Sequence, residues 1–235
     1  MTSMSGRVLN SWLCETCIPD AQLLQETKTG NEMTTWTSQC ERYMLWIDGV
    51  GAWQLCIGNS FLVGGPTLEH PSADVCLMAN ISRRHATILR QAEDWFIQPH
   101  APVVVSGKTI GERGLLKTGD EIRLGERVRL GFRVPNVLSG SAILDFESPH
   151  RPAQSVNGII LMTDNCLLGP RRDHHICCPE WPELMVLFWQ DGKLRCRSKM
   201  AFRVNENRVR ETAELQDGDI VSGEEFRFRI ERLKK

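Results

Sequence analysis

From about residue 42 onward the chain runs in short alternating segments broken by Gly, Asp, Asn or Pro. In "EIRLGERVRLGFRV" (121 to 134), arginines at 123, 127, 129 and 133 alternate with Ile122, Leu124, Val128, Leu130 and Phe132. A period of two sends successive side chains to opposite faces of a strand, so one face is buried and the other wetted. "FRFRIERL" (226 to 233) repeats the pattern, with Phe226, Phe228 and Ile230 inward. The arginines of these strands are expected to be solvated positions rather than a binding stripe, because polar residues must fill every second place. Further strands are predicted at Met44–Ile47, Trp53–Ile57, His85–Leu89, Trp95–Gln98, Ile159–Thr163, Leu184–Trp189 and Lys193–Arg197, with hairpin turns at "DGVG" (48 to 51) and "QDGK" (190 to 193). Such a series of short strands predicts an all-β sandwich.

The pattern also repeats. "LLKTGDEIRLG" (115 to 125) is echoed by "ELQDGDIVSGE" (214 to 224), at an offset of 99 residues (219 − 120). "VVVSGKTI" from Val103 matches "FRVNENRV" from Phe202 at the same offset, and "FLVGGP" (61 to 66) matches "CLLGPR" (166 to 171) at 104 (169 − 65), which pairs Gly169 with Gly65 and needs only a short length difference between copies. A constant offset makes each copy one folding unit. "VPNVLSGS" (134 to 141) lies between them, which divides the chain into an irregular N-terminal arm (1–41), a first sandwich (42–137) and a second (138–235). The connection is too short for a free tether, so the two units are expected to sit close together.

Composition narrows the function classes. A hydrophobic fraction of 41% with 24% charge is ordinary for a globular protein. The formal net charge of −1 gives no global attraction to nucleic acid or an anionic membrane, so any anion site must be local. The longest apolar run, Leu184–Trp189, is far below the roughly 20 residues that cross a bilayer. The N-terminal "MTSMSGRVLNSW" lacks the apolar core of a secretory signal, so a cytoplasmic location is expected. Nine cysteines spread along such a chain read as reduced thiols, with Cys56, Cys76, Cys166 and Cys196 placed in apolar stretches as small hydrophobes.

One stretch carries chemistry. "ISRRHATI" (81 to 88) sets Ser82, Arg83, Arg84 and His85 between strand-forming residues. With Ala86, and with Leu116, Gly119, Asp120, Ile122, Leu124 and Gly125 in the closing part, residues 42–135 resemble the forkhead-associated (FHA) domain, a β-sandwich whose loops bind phosphothreonine peptides. The resemblance implies tandem FHA-like antiparallel sandwiches, the second degenerate, acting as a non-enzymatic interaction module for a threonine-phosphorylated protein, with no cofactor. It assigns phosphopeptide contacts to Ser82, Arg83, Arg84 and Ser106, and makes His85 a brace for the loop. A phosphothreonine presents close to two charges and three acceptor oxygens, which a serine hydroxyl, loop N–H groups and a guanidinium fork satisfy.

Departures accompany the matches. Gly64-Gly65-Pro66 stands where the family has Gly-Arg, and the Asn-Gly pair is replaced by "PHAPVVVSGK" (99 to 108), with Ser106-Gly107 only at the later turn. Each lost bond to a charged group costs about 1.5 to 3 kcal/mol. The second copy keeps Leu168-Gly169, Val204-Asn205, Leu215, Gly218 and Asp219, but reads Pro170 for the arginine and "CPEWPELM" (178 to 185) for the loop, with Glu180 and Glu183 to repel phosphate. A scaffold or dimerisation unit that no longer reads phosphate therefore stands beside the first reading.

Other motifs carry less. Cys14 and Cys17 have the spacing of a zinc half-site, with Cys40 beyond, but no second CxxC follows. In "RRDHHICC" (171 to 178), neighbouring residues of a strand point to opposite faces and cannot all converge on one ion. "SGKT" (106 to 109) has Pro102 where a phosphate-cradling loop requires glycine. No nucleophile elbow or zinc-protease motif is present, so no enzymatic activity is expected. The sequence leaves the oligomeric state open.

Overall fold

Alternation becomes pairing in the computed structural model, which describes residues 40–67 and 73–234. β1 (Glu41–Ile47) and β2 (Gly51–Ile57) form a hairpin across the 48–50 turn. There follow β3 (Ser60–Gly64), β4 (Val75–Cys76), β5 (Ala86–Gln91), β6 (Asp94–Pro99), β7 (Val103–Val105), β8 (Lys108–Ile110), β9 (Gly114–Leu116), β10 (Asp120–Leu124) and β11 (Val128–Arg133). A short 3-10 turn at Val137–Ser139, capped by the Asn136 side chain, leads to β12 (Ala142–Phe146) and β13 (Gly158–Met162). The chain ends with β14 (Asn165–Gly169), β15 (Ile176–Cys177), β16 (Met185–Gln190), β17 (Lys193–Ser198), β18 (Phe202–Val204), β19 (Asn207–Val209), β20 (Thr212–Glu214), β21 (Ile220–Ser222) and β22 (Arg227–Arg232).

These strands make three sheets. Two have five strands and the same connectivity, β4-β3-β5-β6-β9 and β15-β14-β16-β17-β20. The third has twelve, in the order β19-β18-β21-β22-β1-β2-β13-β12-β11-β10-β7-β8. Its centre brings distant parts of the chain together. β1 pairs with β22, β12 pairs with β11, and β2 and β13 run parallel between them. The first hairpin thus lies against the last strand of the chain, and an Arg232–Glu41 ion pair closes that seam.

The four central strands are buried on both faces. Met44, Cys56, Leu144, Ile159 and Leu161 enter one core with Phe61, Trp95 and Phe132. Leu45, Leu55, Ile143, Ile160 and Met162 enter the other with Trp181, Phe226 and Phe228. Because neighbouring residues of a strand point to opposite faces, the two five-stranded sheets cover opposite sides of the central strands. This is why "GIILM" in β13 is apolar throughout rather than alternating, the mark of a strand covered on both sides.

The all-β sandwich agrees with the sequence, and both expected hairpins form. The parallel pairs β2–β13, β3–β4 and β14–β15 are additions to the antiparallel pattern. Parallel neighbours must be joined by long connections, and local alternation carries no trace of those. Gly169, at the end of β14, corresponds to Gly64 at the end of β3, one residue before the Gly65 with which the sequence alignment pairs it. Cys56, Cys166 and Cys196 are buried and Cys76 is half-buried, whereas Cys177 is exposed. Among the described residues no helix is long and apolar enough to cross a membrane.

Candidate functional site

The loop between β4 and β5 is stitched to the end of β3. Leu77 donates its backbone N–H to Gly64, Gly65 donates to the Ser82 carbonyl at 2.9 Å, and His85 donates to Val63 at 2.9 Å. Such contact requires the glycines: a Cβ at Gly64 would lie 1.9 Å from the Arg83 carbonyl oxygen, and one at Gly65 2.5 Å from that of Ile81.

His85 anchors the loop from below. Its ring is buried, with Nδ1 accepting from the Ser82 backbone N–H at 3.3 Å and Nε2 bonded to the Pro102 carbonyl at 2.9 Å. A carbonyl only accepts, so Nε2 carries the proton and Nδ1 keeps its lone pair for Ser82. The His85 carbonyl in turn accepts from the backbone N–H groups of His100 and Ala101. One residue therefore ties the β4–β5 loop to the β6–β7 connection. On this frame Ser82, Arg83 and Arg84 are exposed. His100 lies at the lip, within hydrogen-bonding distance of the Thr87 hydroxyl at 2.8 Å. Partial burial holds its pKa below the ordinary histidine value, and the charge of Arg84 adds to the effect.

Ser106 lies elsewhere. It follows β7, whereas Pro102 precedes it, so β7 separates them by on the order of 13 Å. Ser106 has a left-handed φ of 46°, and its hydroxyl donates to the Asp120 carboxylate at 2.6 Å. Asn205 holds the matching turn between β18 and β19, with φ of 53° and a bond to Asp219 at 2.9 Å. The structure thus brings Ser82, Arg83, Arg84 and His85 together and leaves Ser106 as a turn residue.

In the second strand set the corresponding positions have other partners. Arg171 is paired with Asp173 at 2.9 Å, and Arg172 is exposed. Glu180 and Glu183 are both exposed on the loop between β15 and β16. His174 accepts from the Arg171 backbone N–H through Nδ1. His175 is buried, accepting from Leu167 through Nδ1 and meeting the Ser139 hydroxyl through Nε2 at 2.9 Å. The two histidines therefore hold loops and do not converge. Cys14 and Cys17 lie outside the described residues, while Cys40 is buried in the first core, its thiol pushed up by hydrogen bonding to Cys56 and by burial. Among the described residues no three His, Cys, Asp or Glu side chains are grouped to hold a metal.

Residue types alone disclosed the exposed loop. They did not disclose Pro102, which acts through its backbone carbonyl, or His100, which reaches Thr87 from another connection, although the Gly64-Gly65 pair signals a close approach.

Residues 57–125 match the family model of the FHA domain. The match runs from the end of β2 to the turn after β10 and contains the whole Ser82–His85 loop. FHA domains are interaction modules rather than enzymes and bind proteins, typically phosphopeptides. No curated protein and no solved structure matches the chain.

Proposed function

We propose that this protein is a non-enzymatic interaction module that reads a phosphothreonine peptide through the loop Ser82–His85. Ser82 and Arg83 supply the phosphate contacts, Arg84 adds charge at the rim, and His85 holds the loop. The observation that carries this reading is the His85 ring, bonded to Ser82 on one side and Pro102 on the other, beneath three exposed polar residues. Such a preorganised loop binds without first having to be ordered. The shared connectivity of the two five-stranded sheets supports a tandem in which the second FHA-like unit is degenerate, and its exposed Glu180 and Glu183 disfavour phosphate there.

The test is binding to a degenerate phosphothreonine peptide library, with the unphosphorylated library as control and Ser82→Ala/Arg83→Ala alongside. Phosphate-dependent binding lost in the variant is expected. Equal retention of both libraries, or binding that survives the double substitution, would reject the reading.

One observation favours a second reading. Gly65 stands where the family places a phosphate-binding arginine, packed against the Ile81 carbonyl with no room for a side chain. A scaffold whose loop has lost phosphate recognition would keep its partners after phosphatase treatment.

A further inference from the structure

The twelve-stranded sheet has two uncovered wings, and their outer faces differ in charge. In the wing formed by β19, β18, β21 and β22, the register places Arg208 opposite Arg203, Arg203 opposite Ser222, and Ser222 opposite Arg227. Residues directly opposite share a face, so three arginines stand in one row across four strands. The adjoining row runs Ile220, Arg229, Trp46, the last 39% exposed. Two carboxylates border this face, Asp48 beside Arg227 and Glu231, and Glu231 is occupied by Arg229 at 2.8 Å and by the Trp46 Nε1–H at 2.9 Å. Arg203, Arg208 and Arg227 form no ion pair among the described residues.

The other wing shows that the fold does not require this. Its matching row reads Thr109, Val104, Arg123, Arg129, with Glu147 alongside, and the next places Glu121 and Asp145 across Gly131. Arg133 is paired there with Asp145. Three arginines meet three carboxylates on that face, against four arginines and two carboxylates on the first. Each wing sets two arginines directly opposite, Arg203–Arg208 here and Arg123–Arg129 there, a repulsive pairing that carboxylates match in number only on the second face.

We propose that the face carrying Arg203, Arg208, Arg227 and Arg229 docks a short acidic segment of a partner protein, with Trp46 and Ile220 receiving an apolar residue beside the acids. Three strand spacings give the row a length of about 14 Å, matching four or five residues of extended chain. A nucleic acid fits less well: it is a long, dense polyanion, and the chain's net charge of −1 offers it no attraction beyond this patch. The docking face is separate from the Ser82–His85 loop and does not depend on it.

Fluorescence anisotropy of the full chain tests this, with a labelled peptide of five glutamates and a leucine as probe. Its glutamine counterpart and a labelled single-stranded oligothymidylate are the comparators. Saturable binding that weakens with salt and falls about tenfold or more in Arg203→Glu/Arg208→Glu is expected, with Arg203→Lys/Arg208→Lys and Ser82→Ala/Arg83→Ala retaining it. Circular dichroism confirms that the charge-reversed variant is folded. No binding of the acidic peptide, equal binding of the glutamine peptide, an unchanged affinity in the charge-reversed variant, or tighter binding of the oligothymidylate would each overturn the proposal.

Discussion

The backbone N–H of Gly65 donates to the carbonyl of Ser82 at 2.9 Å, so the end of β3 and the basic loop are held as one unit. An arginine at 65, as the FHA pattern has it, would set its Cβ 2.5 Å from the Ile81 carbonyl and 3.1 Å from that of Ala79. We expect Gly65→Arg to lower stability by about 1 to 3 kcal/mol and to weaken any binding at the loop. A urea titration with a peptide titration alongside checks both, and a stable variant that binds phosphopeptide more tightly would contradict the account.

His85→Ala removes the acceptor for the Ser82 N–H and the donor for the Pro102 carbonyl. Leaving such buried groups unpaired costs about 1 to 3 kcal/mol each, although the Pro102 carbonyl keeps the Gly125 N–H as a partner. Faster amide exchange at Ser82 and at His100, ahead of any change in the second core, is the expected signature.

His175 gives stability a pH dependence. Burial lowers its pKa from 6.5 to about 4, so the folded chain keeps the ring neutral while the unfolded chain takes up a proton below pH 6.5. Stability is therefore complete above about pH 6.5, falls as the pH drops toward 4, and loses nothing further from this group below that. The full loss is on the order of 3 kcal/mol. Urea midpoints across this range should slope less in His175→Gln than in the parent chain, and parallel slopes would remove His175 as the cause.

Ser106 and Asn205 occupy equivalent left-handed turns, but only Asn205 both donates to an aspartate and accepts from the next strand's backbone, at Ile220. Asparagine also tolerates positive φ better than serine. Ser106→Asn should raise stability by about 0.5 kcal/mol, read as an upward shift of the thermal midpoint. A downward shift would show that the Ser106–Asp120 bond is worth more than the gain.

Because β1 lies against β22, β2 against β13 and β11 against β12, a fragment of residues 42–137 lacks the neighbours of both its first hairpin and its last strand. We expect that fragment not to fold on its own, and the whole described region to unfold in one transition by circular dichroism and tryptophan fluorescence. Two separated transitions, or a dispersed amide spectrum from the fragment, would count against this.

Much of the fold was legible because period two fixes which face of a strand is buried: Ile122, Leu124, Phe228 and Ile230 all point inward as their spacing requires. Period two says nothing about which strand lies alongside, so the pairing of Tyr43 with Arg232 and of Gln54 with Ile159 could not be read. β4 and β15, two residues each, are too short to show a period. At the loop, residue types disclosed Ser82, Arg83 and His85 but not Pro102, which contributes only a carbonyl. Glycine at 65 was legible as the absence of an arginine and not as the contact that excludes one.

The parallel seam between β2 and β13 has a consequence for solubility. In separate sandwiches each of these apolar strands would be an edge, presenting unpaired N–H and C=O groups to any passing chain and inviting aggregation. Facing each other, they shield one another, and the broad sheet ends instead in β8 and β19, three residues each and studded with exposed Lys108, Thr109, Asn207 and Arg208. The merger hides two apolar borders and leaves the broad sheet with short, polar margins.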